Sequence, residues 1–290
     1  MRLSHAAILF GVMVLWGLNF VAAKFGFREF EPMFLLSFRF LAMGLVLIPF
    51  VRIPRGKMGH VLGLSFTLGS LHFGLMFTGV AGVDAAVAAI AIQLQVPFAS
   101  ILAAILFKDF LGWRRMLGMV GAFAGIALIA GEPRMESSLF HLGLVVVASL
   151  VFATSNIQLK AMGDAPPLGV LGWSSLFAAP QLFLLSLIFE DNHWRDFQAA
   201  GLYGWGAVAY MTVCVGLIGY GIWYSLMRRY AVNQIMPFTL LAPVFGVLGG
   251  VGILGEQMSW QVIAGTAVTL AGVAVIVLRR PGTADAPLKT

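Results

Sequence analysis

D-F-L-G-W-R-R-M-L-G-M-V-G-A-F-A-G-I-A-L-I, residues 109–129, returns 147 residues later as E-Q-M-S-W-Q-V-I-A-G-T-A-V-T-L-A-G-V-A-V-I, residues 256–276. At that shift Asp109 faces Glu256, and Trp113, Gly118, Ala124, Gly125, Ala127 and Ile129 meet identical residues at Trp260, Gly265, Ala271, Gly272, Ala274 and Ile276. Small-residue matches come easily in apolar sequence, but an acid followed four residues later by Trp does not. The pattern reads as an internal repeat, so the chain is expected to be a duplicated protein.

The sequence around the repeat places it in a bilayer. Only 10% of the 290 residues are charged and 60% are hydrophobic, where a soluble domain carries about a quarter charged residues. Stretches free of charge run over 6–23, 58–83, 85–107, 116–131, 137–159, 165–189, 197–227, 230–255 and 257–278, and a tenth, 32–51, is broken only by Arg39. Most approach or exceed the roughly 18 to 20 residues a helix needs to cross the hydrocarbon. A membrane barrel would read as shorter alternating segments, which are absent. The expected fold is therefore an all-α membrane protein of ten transmembrane helices, arranged as two inverted five-helix repeats. The inversion follows from the odd number of helices per repeat, and such chains place a substrate site near the midplane. Residues 1–131 form the first repeat, 132–136 the linker, 137–278 the second repeat and 279–290 a tail.

The N-terminal apolar stretch is too long for a signal-peptide core and is read as a retained helix. A single cysteine, Cys214, excludes an internal disulfide and a thiolate metal cluster. The basic balance belongs to loops at a membrane surface, so no nucleic-acid partner, metal or cofactor is expected. Arg52, Arg55, Lys57, Arg114, Arg115, Lys160, Arg228 and Arg229 fall on the side of the termini, against Lys24, Arg28, Arg134 and Arg195 on the other. By the excess of basic residues in cytoplasmic loops, both termini are expected in the cytoplasm of a cell with an inner membrane.

The stretch W-G-L-N-F-V-A-A-K, residues 16–24, resembles the EamA-type proteins of the drug/metabolite transporter superfamily. Arg39-Phe40, G-Y-G-I-W at 219–223, L-A-P-V at 241–244 and Gly255-Glu256 extend the resemblance over nearly the whole chain. Within that family these stretches are most similar to the bacterial exporters of O-acetylserine and cysteine. The resemblance implies outward transport of a small metabolite. Lys108-Asp109, where the family usually has Gly-Glu, and Phe152, where Trp is common, depart from the pattern.

Polar groups in hydrocarbon are costly enough that each needs a hydrogen bond or a water-filled path. Trp16 and Asn19 share a face near the middle of the first helix, and Asn156, one turn after Phe152, is the second-half echo of Asn19. Gln93 shares a face with Pro97, and Pro97 returns as Pro243; each proline frees a carbonyl and is a candidate hinge. His72 is either a packing residue or a substrate contact. Tyr220 and Trp223 share a face of the eighth helix, with Tyr224 beside them. Arg39 is a charge contact, made either to a substrate carboxylate or, by snorkelling, to Glu31 and helix-end carbonyls. No Asp or Glu lies in a helix interior, which leaves His72, Asp84 at the outer start of the fourth helix, or no residue at all as a proton relay. Together these residues suit a small neutral or zwitterionic metabolite such as an amino acid. Scattered histidines and a cysteine without a basic neighbour argue against an enzyme. The sequence does not fix the oligomeric state.

Overall fold

The computed structural model describes residues 2–107, 112–132, 138–163, 165–227, 229–230 and 232–278. Asp109, Arg134, Arg228, nearly all of the linker and the tail at 279–290 lie outside the described residues. Among the described residues ten helices are long and apolar enough to cross a membrane: α1 Leu3–Gly26, α2 Pro32–Phe50, α3 Met58–Gly82, α4 Ala85–Leu106, α5 Trp113–Ala130, α6 Leu139–Ala161, α7 Pro167–Phe189, α8 Leu202–Met227, α9 Met236–Leu254 and α10 Trp260–Val277. No span contains an Asp or Glu. The protein is an all-α, multi-pass membrane protein.

Successive helices are antiparallel. The end of α1 meets the start of α8, where Gly201 and Gly204 amides donate to Glu29, and the end of α7 meets the start of α2. The start of α1 meets the end of α8 through His5 and Tyr230, 2.7 Å apart. One face of the molecule thus carries the starts of the odd helices, and the other carries the starts of the even ones.

The repeated glycines form the seam between α5 and α10. A Cβ on Gly118 would sit 2.7 Å from the Gly272 carbonyl oxygen, and one on Gly125 would sit 2.6 Å from that of Gly265. Under the 147-residue shift, the contact of Gly118 with Gly272 becomes that of Gly265 with Gly125. Ala122 faces its own repeat equivalent: the Thr269 hydroxyl donates to the Ala122 carbonyl at 3.4 Å. An interface that maps onto itself in this way is two-fold, and small residues let the two backbones approach without a side chain between them. Trp113 and Trp260, the other repeated landmarks, are 65% and 68% exposed, as interfacial anchors are.

Several helices depart from α geometry, and the departures also recur. α1 is interrupted at Leu18, between Leu3–Gly17 and Asn19–Gly26. α3 is π-helical over Ser65–His72 and α8 over Met211–Tyr220, at equivalent places in the two halves. Tight 3₁₀ turns at Ile92–Leu94 and Met236–Leu240 precede Pro97 and Pro243. Irregular turns of this kind inside helices concentrate at functional sites.

The core is biased toward one face. Every residue from Ala85 to Leu94 is buried, and none from Phe98 to Leu106 is. α4 is therefore buried at its start, on the face opposite the termini, and partly exposed toward the face that carries them.

Candidate functional site

The face opposite the termini is closed by carboxylates that cap helices in trans. Glu29 accepts from the Gly201 and Gly204 amides at 2.8 and 2.6 Å, at the start of α8. Glu190 accepts from Met33 and Phe34 at 2.6 and 2.9 Å, at the start of α2. Glu256 accepts from Ala85 and Ala86 at 2.6 and 2.9 Å, at the start of α4. An anion at a helix N-terminus satisfies otherwise orphaned amides and meets the positive end of the helix dipole. Gly255 makes the third brace: at φ +71° it turns the chain after α9, the Glu256 amide donates to the Gly250 carbonyl, and the carboxylate is aimed across at α4. The Gly-Glu pair of the sequence pattern is thus a turn and a brace. Burial raises the Glu256 pKa above the ordinary glutamate value, with Asp84 adding to the rise and the two amides and Lys24 opposing it. Beside the second brace, burial and then Glu190 and Asp196 raise that of Glu31. Phe30, Phe34, Phe38 and Trp205 pack edge to face beneath these braces.

On the face of the termini lies a groove of about 610 Å³, lined by Pro166, Pro167, Leu168, Gly221, Tyr224, Ser225 and Arg229. Tyr224 stacks on Tyr220, ring centres 6.0 Å apart, and Tyr220 meets the Trp16 ring at 5.2 Å. Trp223 also meets the Trp16 ring, at 5.2 Å. The indole N–H of Trp16 donates to the Val215 carbonyl in the π segment of α8, and Gly219 leaves room for the ring: a Cβ there would stand 2.5 Å from Nε1. Of the residues singled out from the sequence, the structure brings together Trp16, Tyr220 and Trp223, joined to the groove through Tyr224.

His72 occupies the corresponding place in the other half. It ends the π segment of α3, as Tyr220 ends that of α8. His72 packs on Phe152 of α6 at 5.0 Å, as Tyr220 packs on Trp16 of α1, so Phe152 stands where the first half has Trp16. Its Nδ1 is 2.8 Å from the Ala148 carbonyl, an acceptor, so Nδ1 carries the proton and donates.

Arg39 of α2 stands next to the His72 cluster, since its guanidinium lies over the Phe73 ring, which packs on His72 at 4.8 Å. It is 3% exposed. Its guanidinium carbon stands 4.9 Å from the centre of the Phe73 ring, 5.4 Å from Phe40 and 5.7 Å from Phe77. Nε and Nη1 are buried without a hydrogen-bond partner, and among the described residues no carboxylate lies within ion-pair distance. The snorkelling contact to Glu31 and helix-end carbonyls is not made. The reason is geometric: the guanidinium is held within the bundle by three aromatic faces.

Asn19 starts the second segment of α1, three residues from Trp16; it is buried, and its Oδ1 has no partner. Gln93, in the 3₁₀ turn of α4, is buried and makes no hydrogen bond among the described residues. Pro97 and Pro243 are buried. Asn156 is exposed on α6. Phe73, Phe77 and the three bracing carboxylates had no mark in the sequence as site residues, since each acts on a helix distant in the chain.

Comparison with known proteins gives a consistent picture. The EamA-like transporter family matches residues 3–131 and 139–278. A probable amino-acid metabolite efflux pump of Salmonella typhimurium is 28% identical over 270 residues, covering 90% of each chain. A protein described in the same words from Escherichia coli is 27% identical with the same coverage. An uncharacterized transporter of Synechocystis is 25% identical over 90% of this chain and 86% of its own. One solved crystal structure superimposes on 96% of this chain and 98% of its own with a TM-score of 0.65 at 20% identity, a likeness of fold.

Proposed function

Because this chain belongs to the EamA-like transporter family, and is a membrane transporter rather than an enzyme, we propose that it exports a small amino-acid-like metabolite by alternating access. The observation that carries this reading is the asymmetry of the path. A groove opens on the face of the termini and is lined by Tyr224, which stacks on Tyr220 and through it on Trp16, while the opposite face is braced by Glu29, Glu190 and Glu256. Basic loops put the face of the termini in the cytoplasm of a cell with an inner membrane. The groove then admits substrate from inside, as loading for export requires.

The two halves, 1–131 and 137–278, act as inverted repeats hinged at Pro97 and Pro243. Rocking them about the α5–α10 seam closes the groove and breaks the carboxylate braces, which exposes the same site to the other side. Trp16, Asn19, Gln93, Tyr220 and Trp223 line that site, with Arg39 at its inner end; His72 of the first half and Asn156 of the second complete the wall. The efflux pumps at 28% and 27% identity support amino-acid metabolites as the substrate class, and the resemblance to exporters of O-acetylserine and cysteine points the same way. With no carboxylate in any span, downhill exchange needs no proton relay.

Counterflow in proteoliposomes tests this reading. Vesicles preloaded with each of the twenty common amino acids should transiently accumulate the labelled form of at least one, without an imposed proton gradient. Absence of counterflow for all twenty would remove amino acids as the substrate class, and unitary currents in single-channel recording would replace the carrier with a channel.

A further inference from the structure

We infer that Arg39 is the specificity-determining residue of the transport site, reading a substrate carboxylate, and that the substrate's amino group is dispensable. The inference rests on the transporter reading above and deepens it.

A guanidinium in the middle of a membrane bundle is costly, and an unpaired one more so. Aromatic faces offset part of that cost. Phe40, Phe73 and Phe77 hold the group in place, but ring faces do not accept the in-plane N–H groups. Nε and Nη1 stay without partners in a residue 3% exposed. A guanidinium presents its N–H donors in pairs along two edges, Nε with Nη2 and Nη1 with Nη2; each edge of Arg39 carries one of the orphaned nitrogens, and either edge matches the two oxygens of one carboxylate. Asn19 adds a second orphan, an acceptor that suits a substrate hydroxyl or N–H.

The converse contact is missing. An ammonium group held as tightly would need a carboxylate, and none lies in any of the ten spans. The aromatic faces of Trp16, Tyr220 and Trp223 attract a cation weakly and tolerate its replacement by a neutral amide. Recognition is therefore one-sided: the acid end is read and the amine end is accommodated.

The experiment uses the full-length protein in proteoliposomes and the amino acid that gives the strongest counterflow among the twenty. Its carboxamide, its N-acetyl derivative and its deaminated carboxylic acid are measured as competitors. In the wild type the N-acetyl and deaminated compounds should compete within a few-fold of the parent, and the carboxamide should be weaker by about a hundredfold, as for a site left with an unpaired buried donor. Arg39→Gln should level the parent and its carboxamide while still transporting the carboxamide, a change of preference that a purely structural arginine would not produce. Arg39→Lys keeps the charge and should retain the preference in reduced form, which keeps the test open where Arg39→Gln fails to insert. Equal competition by carboxamide and parent in the wild type, or loss of transport of all compounds in the same proportion in both variants, overturns the inference. Counterflow of the parent with no effect of the carboxylate leaves the transporter reading standing alone; no counterflow of any amino acid removes both.

Discussion

Trp16 is held from three directions: its N–H on the Val215 carbonyl, its face against Tyr220 and Trp223, and its edge over Gly219. Removing Trp223, or the buried amides of Asn19 and Gln93, should disturb the proposed site without disturbing insertion. Trp223→Ala, Asn19→Ala and Gln93→Ala are each expected to lower counterflow about tenfold with membrane abundance near wild type. Quantified immunoblots alongside transport check this, and normal transport in all three moves the site elsewhere. His72 donates to Ala148, a bond that a glutamine amide can replace, so His72→Gln should keep most of the activity in counterflow. At this scale the sequence was informative about which residues matter. A polar or charged side chain in hydrocarbon announces itself by its cost. Its partners were not legible: the Tyr220 that meets Trp16 comes from the other half, and so does the Phe152 that meets His72.

The glycine seam is the element on which the two halves meet. Gly125→Leu places a side chain against the Gly265 backbone, where even a Cβ stands at 2.6 Å. Overpacking of this kind costs about 1 to 3 kcal/mol. The variant should unfold at lower temperature in detergent, as should Gly272→Leu, whereas Gly143→Leu, with open space around its Cβ, should not. The α4 brace gives a pH dependence. Burial raises the Glu256 pKa in the fold, so the group favours the folded state most below the ordinary glutamate range, and this contribution is lost as pH rises through the raised value. Glu256→Gln should remove that slope from the thermal stability measured across mildly acidic pH; an unchanged slope assigns it to another group. The repeat showed in the sequence as an alignment of Gly118 with Gly265 and Gly125 with Gly272, but not that the four pack crosswise. The prolines hinted at the irregular turns of α4 and α9. The π segments of α3 and α8 carry no such mark, because an extra residue in a helical turn is stabilised by neighbours rather than by local sequence.

Across the whole molecule, ten spans and their antiparallel order were readable from charge-free length alone, since the bilayer sets the length of every helix. Which face is open was not readable, because it depends on how the halves tilt about their seam. Gly56, exposed before α3, and Arg195, 74% exposed after α7, lie on opposite faces. Cysteines placed there in a Cys214→Ser background should label from the cytoplasm and from the outside respectively, and the reverse result would invert the proposed direction of the groove. The most direct test of alternating access uses Gly221→Cys in the same background. Gly221 lines the groove beside Tyr220, and its Cβ position is open. A membrane-impermeant thiol reagent should label it from the face of the termini, not from the other face, and more slowly once transported substrate draws the protein through its other state. Labelling at similar rates from both faces, or a rate that transported substrate leaves unchanged, would contradict a site that opens to one side at a time.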